Sequence, residues 1–178
     1  PEKELALIAT RDAQGAAGLD YAHASLTQQL DAGARELELD IHHDPQGGRY
    51  LDPIVPRMAG ADLGDVWKTT MAKPGFKTFH ISDVDVRSTC LLFRACLAEI
   101  RAWSDAHPGH VPITILINAK DGPGLPDGVQ PAAFDVAAFA ALDAEIHAEL
   151  AGQLIPPDAR QGHYPPPTDA VLPRQPPP

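Results

Sequence analysis

The sequence predicts an α/β fold, and three observations carry that prediction. Residues 35–42 alternate Leu37, Leu39 and Ile41 with Glu36, Glu38 and Asp40, which is the period of a strand. Residues 111–118 do the same with Ile113, Ile115 and Ile117. Helical spacing then marks 90–106 and 134–150, so strands alternate with helices and a parallel sheet is expected.

From the start, Leu5, Leu7 and Ile8 give a short helical pattern over Glu2–Thr10, and Gln14-Gly15-Ala16-Ala17-Gly18 reads as a loop. Ser25 and Gln28 have capping-box spacing, Leu26 and Leu30 share a face, and Gly33 can end that helix. The first strand is Arg35–His42. Residues 43–75 carry Asp44-Pro45-Gln46-Gly47-Gly48, Pro53, Pro56 and Pro74, so this stretch reads as loop with one helical turn near Asp65–Thr69. A second strand fits Phe76–Ile81, and Ser88 or Thr89 can cap a helix from Cys90 to Ala106. His107-Pro108-Gly109 stops that helix, Val111–Asn118 is the third strand, residues 121–131 form a loop, and Phe134–Leu150 is helical. Nine of the 19 prolines fall within Pro156–Pro178, which divides the chain into a folded part, 1–155, and an extended tail, 156–178.

Composition narrows the function. Lys+Arg 14 against Asp+Glu 24 gives a net charge of −10, which argues against a nucleic-acid partner, because phosphate backbones are met by clustered basic faces. No apolar run approaches the ~20 residues of a membrane span. The chain opens at Pro1 without an initiator Met or signal sequence.

Glu38 and Asp40 share the face of the first strand opposite its leucines. Either that face is a solvated sheet edge, or the strand belongs to a barrel whose upper interior gathers the carboxylates on a hard cation, Ca²⁺ or Mg²⁺. His80 ends the second strand, with Asp83 or Asp85 following to orient its imidazole; a structural histidine is the alternative. His42-His43-Asp44 cannot share an ion, since adjacent side chains oppose one another, and the two histidines read as surface residues. Asn118 and Lys120 stand on one face at the end of the third strand, where Lys120 either meets a phosphate or faces solvent. Cys90 and Cys96 can form a disulfide only if the helix begins after Cys90, and are otherwise two reduced core thiols.

The stretches LDYAHASLTQQLDAGARELELDIHHDPQGG (19–48), GFKTFHISDVDVRSTCLLFRACLAEIRAWSDAHPGHVPITILINAKD (75–121) and, more loosely, FDVAAFAALDAEIHAEL (134–150) resemble the bacterial calcium-dependent phosphoinositide phospholipase C family. The resemblance implies a distorted TIM-type barrel, a Ca²⁺ ion and phosphodiester cleavage by two histidines. It makes Glu38 and Asp40 metal ligands, joined by Asn118 where the family more usually has an acidic residue, and His80 the second catalytic histidine. Lys120 would then hold the substrate phosphate. The family's first histidine, from a Gly-Thr-His-Asn-Ser type segment, has no counterpart here. The expectation is therefore a partial barrel lacking the first strand and the C-terminal strands, from a secreted enzyme that acts on phospholipid head groups at a membrane surface. By itself this segment is expected to have no measurable turnover. The alternatives are a glycerophosphodiester or sphingolipid phosphodiesterase, or a non-catalytic remnant or head-group binding module.

Overall fold

The computed structural model describes residues 1–156. The tail expected from Pro156 onward therefore lies, beyond its first residue, outside the described residues.

Helix α1, Glu2–Ala9, precedes α2, Ala13–Gly18, where a loop is expected from the glycines. The Asp12 carboxylate accepts from Gly15 N and gives this Gly/Ala segment the N-cap that its composition does not advertise. Helix α3, Leu26–Asp31, carries the anticipated capping box: Ser25 accepts from Gln28 N while the Gln28 side chain accepts from Ser25 N. Gly33, at φ 100°, then turns the chain into β1, Glu36–His42.

The excursion after β1 holds more helix than one turn: α4, Ile54–Met58, and α5, Gly64–Met71. The second strand is much shorter than expected. β2 is Lys77–Thr78, and it pairs with β1 antiparallel, Ile41 opposite Thr78 and His42 opposite Lys77, which corrects the expectation of an all-parallel sheet. The ladder stops because His42 Nε2, a side chain, takes the Phe79 carbonyl at 2.9 Å. On its other side this segment bonds to the 91–93 stretch, through Thr78 N to Leu91 O and Phe93 N to Phe76 O. Those bonds keep Leu91 and Leu92 extended, so helix α6 runs Phe93–Ala106 rather than from Cys90, with Leu92 and not Ser88 or Thr89 at its N-cap.

β3, Thr114–Ala119, lies parallel to β1 on its other side, with Glu38 opposite Leu116 and Asp40 opposite Asn118. The sheet is a three-stranded open one of order β2-β1-β3. Helix α7, Val136–Leu150, and a 3-10 turn, Ala151–Gln153, complete the described chain.

Period two in β1 sorts its residues between two environments. Leu37, Leu39 and Ile41 are buried with Leu26 and Leu30 of α3, Phe93, Leu97, Ile100 and Trp103 of α6, and Leu142 and Leu150 of α7. A fully buried side chain of this size is worth ~1.5–3 kcal/mol, so this helix-facing layer fixes the register of β1. The opposite face, with Glu36 and Glu38 exposed and Asp40 half-buried, opens onto a cleft. A second cluster, Tyr50, Trp67, Met71, Phe79 and Val86, roots the α4–α5 excursion beside β2.

Candidate functional site

The cleft over the acidic face of β1 has a volume of about 680 Å³ and is lined by Glu38, Asp40, Asn118, Lys120, His80 and Asp85, with Tyr21 and His23 at its side. Its floor is set by strand pairing. Because Asp40 and Asn118 are opposed in adjacent parallel strands, Asn118 Nδ2 donates to Asp40 Oδ1 at 2.8 Å and reaches Glu38 Oε1 at 3.4 Å. Lys120, two residues on, shares the face of Asn118, and its ammonium lies 3.2 Å from the same Asp40 oxygen. The amide and the ammonium together bring positive potential to two carboxylates that would otherwise repel one another across one strand face.

The opposite wall is built by a tight turn. Ile81 and Asp85 exchange both backbone hydrogen bonds, at 2.9 Å each, which folds Asp85 back onto the residue ahead of Ile81. That residue is His80, whose Nδ1 lies 3.0 Å from Asp85 Oδ2. The turn contains Asp83 at φ 69°, in the left-handed region. Of the two carboxylates expected as partners of the imidazole, Asp85 meets it and Asp83 does not. Asp83 is buried, its two carboxylate oxygens accept from Ile54 N at 3.0 Å and Val129 N at 2.7 Å, and it fastens the turn to the start of α4 and to the loop at Val129.

Tyr21 completes that wall from the segment before α3. Its hydroxyl donates to Asp85 Oδ2 at 2.8 Å and lies 3.1 Å from His80 Nδ1. Burial, the Asp85 hydrogen bond and the charges of Asp85 and Asp40 push its phenol up to about 12. Sequence reasoning overlooks Tyr21, which sits in an aperiodic stretch with only the polar run Asp20-Tyr21-Ala22-His23 before a helix cap to mark it.

His42 corrects another expectation. It is not a surface histidine: it is 2% exposed, stacked on the Phe79 ring at 4.0 Å between centroids, with Tyr50 edge-on at 5.4 Å. Burial drives its imidazole down to about 4, so it stays neutral and donates Nε2–H to Phe79 O, fixing the backbone beside His80. Asp44 is likewise buried, paired with the buried ammonium of Lys77 at 3.1 Å. His43 is half-buried against Phe76, with ring centroids 5.1 Å apart.

Cys90 and Cys96 form a disulfide with Cα atoms 5.5 Å apart, because Cys90 lies in the extended segment ahead of α6 and folds back onto the helix's first turn. Among the described residues no helix is long and apolar enough to cross a membrane, and no three His, Cys, Asp or Glu side chains cluster as a metal site would.

The sequence profile of the family described as phosphoinositide phospholipase C, Ca²⁺-dependent, matches residues 1–178. Among solved structures, the Ca²⁺-dependent phosphatidylinositol-specific phospholipase C from Streptomyces antibioticus is 25% identical with a TM-score of 0.50, over 83% of this chain and 41% of that one. The calcium-dependent phosphoinositol-specific phospholipase C from a Gram-negative Pseudomonas sp., in its apo form, is 19% identical with a TM-score of 0.49, over 79% and 40%. The chain thus spans about 40% of the length of these structures. No curated protein matches it significantly.

Proposed function

The chain belongs to the Ca²⁺-dependent phosphoinositide phospholipase C family, and from that premise we propose that its cleft is the metal and phosphate half of a phosphodiesterase site acting on phosphoinositide head groups. The observation that carries this reading is the meeting, in one cleft, of the Glu38–Asp40–Asn118–Lys120 floor with the His80–Asp85 wall. The three-stranded sheet is then one wall of a barrel, and the folded part to residue 155 its domain.

The floor fits a hard cation. Glu38, Asp40 and Asn118 all carry oxygen ligands, the class Ca²⁺ takes, and the amide that now bridges the two carboxylates stands where an ion would relieve the same repulsion. Asn118 must turn its carboxamide to offer Oδ1. With three side chains and two formal charges, water or substrate would fill the remaining places of a six- to eight-ligand shell. When bound there, Ca²⁺ would draw charge from the phosphoryl oxygens.

The chain's own groups divide the rest of the work. Lys120, released from Asp40, would meet a phosphate oxygen as a point charge. His80 directs Nδ1–H to Asp85 and keeps Nε2 for proton transfer, either from the inositol 2-hydroxyl as it attacks phosphorus to form a cyclic phosphate, or to the departing diacylglycerol oxygen. One imidazole does not serve both ends of that displacement in a single step. Among the described residues His80 is the cleft histidine that carries a carboxylate partner, so the isolated chain is expected to bind without measurable turnover. The disulfide supports an oxidising, extracellular setting.

A head-group binding module is the second reading, favoured by the Lys120–Asp40 contact and by Asn118. The deciding experiment measures Ca²⁺-dependent binding of this chain to phosphatidylinositol vesicles and, in the longer protein containing it, cleavage with and without His80→Ala. Binding without cleavage in the longer protein selects the module; cleavage lost in the variant selects the enzyme. Vesicle binding that ignores Ca²⁺ overturns both.

A further inference from the structure

We propose that Tyr21 is a positioning residue for the His80–Asp85 pair: its phenol donates to Asp85 Oδ2 and accepts from His80 Nδ1, so that the imidazole is held in one tautomer with Nε2 left for the cleft. The role rests on His80 being the proton-transfer group of the preceding reading.

The three atoms form a closed triangle of 2.8, 3.1 and 3.0 Å, spanning 59 residues of sequence to His80 and 64 to Asp85. Proton counting fixes its direction. A phenol has one hydrogen, and the shorter of its two contacts, to a carboxylate oxygen that can only accept, takes it. The Tyr21 oxygen then faces Nδ1 as an acceptor, and the hydrogen between them belongs to the imidazole. Nδ1–H therefore meets two acceptors, and the opposite tautomer would set its bare nitrogen against the same two oxygens.

Asp85 alone would hold the ring less firmly, because a carboxylate with a single donor can rotate and exchange its oxygens. A second donor on Oδ2 pins the carboxylate that orients the ring. The phenol is suited to this because burial first, and then the Asp85 bond, keep it protonated up to about 12, so it does not become a second anion at working pH. A merely steric wall would need only the ring, which also contacts His23 with centroids 4.9 Å apart.

The test compares the 178-residue chain with its Tyr21→Phe variant, reading the His80 ring nitrogens by long-range proton–nitrogen correlation in mildly alkaline buffer. The expected result is a wild type predominantly in the Nδ1–H form and a folded variant whose preference falls roughly five- to tenfold, the worth of one net hydrogen bond. A folded variant with an unchanged tautomer ratio overturns the proposal, since phenylalanine keeps the wall. Should the variant not fold, Asp85→Asn decides: in carbon-13 tyrosine-labelled protein the Tyr21 titration should fall from about 12 by about one pH unit. An unmoved titration overturns the proposal. Neither readout uses turnover, so failure of phosphatidylinositol cleavage removes the enzymatic reading and leaves these spectra standing, while unmoved spectra remove Tyr21's role and leave that reading intact.

Discussion

Lys120 Nζ stands 3.2 Å from Asp40 Oδ1, the carboxylate oxygen that also accepts from Asn118. The chain thus carries its own tethered cation on the proposed metal floor, where Ca²⁺ and the ammonium would compete for one carboxylate. Replacing Lys120 by Met should raise Ca²⁺ affinity, by up to about fivefold, since a part-exposed pair is worth ~0–1 kcal/mol. Calorimetric titration with Ca²⁺ measures it, and weaker binding in the variant would contradict the competition.

Glu38→Gln with Asp40→Asn should do the opposite and abolish Ca²⁺ binding. Neither side chain belongs to the helix-facing core, and removing two like charges on one strand face relieves repulsion when no ion is present, so stability in Ca²⁺-free buffer should stay within ~1 kcal/mol of wild type. Unchanged Ca²⁺ affinity in this double variant would sink the metal assignment.

His42 should make the fold sensitive to acid. Its folded value, about 4, lies below the ordinary 6.5, because burial penalises the charged ring more than the nearby Asp40 charge favours it. The neutral form is therefore favoured on folding. This contribution is complete above pH ~6.5 and is lost progressively as pH falls toward 4, amounting to about 3 kcal/mol. Urea midpoints measured across that range should fall in wild type and change less steeply in His42→Leu.

The Cys90–Cys96 bridge closes a short loop, for which chain entropy gives about 2 kcal/mol. The unfolded, unreduced chain should show no reactive thiol and the reduced chain two. The Cys90→Ser, Cys96→Ser double variant should unfold at correspondingly lower urea.

Asp83→Ala should be costlier than its distance from the imidazole partner suggests. It leaves Ile54 N and Val129 N without their acceptor and keeps a β-carbon at φ 69°, for a loss of about 2–4 kcal/mol. Asp85→Ala should leave urea midpoints nearly unchanged, because its partners are the part-exposed Tyr21 and His80. Equal losses from the two substitutions would mean that the turn does not divide structure from chemistry in this way.

What could be read from the sequence was what depends on near neighbours. The period of β1, the Ser25–Gln28 box and the requirement that α6 start beyond Cys90 for a disulfide each involve residues a few positions apart. The shortness of β2 could not be read so. It depends on His42 taking the Phe79 carbonyl and on the 91–93 segment closing its other side, contacts made across long separations. The same limit hid His42 itself, since a His-His-Asp run is polar by composition and only the aromatic packing of Tyr50 and Phe79 draws it inside. Of the candidate site, the acidic pair, the imidazole two residues past β2 and the Asn-x-Lys spacing could be picked out as residue types, and the cleft brings them together. The division between Asp83 and Asp85, and the arrival of Tyr21, could not, because both depend on how loops meet.

Over its first six residues, Glu36–Ile41, β1 holds the hydrophobic layer with its odd positions and displays the acidic floor with its even ones. Selection can therefore act on two traits along alternating codons of one strand with little interference. A saturation library across 36–41 should separate into interleaved combs, abundance defects at 37, 39 and 41 and ligand-binding defects at 38 and 40. An inserted residue between Leu37 and Glu38 would exchange the combs beyond it at once, turning carboxylates inward and leucines to water. Length within that strand is therefore less negotiable than identity, and lineages should vary its residues long before they vary its count.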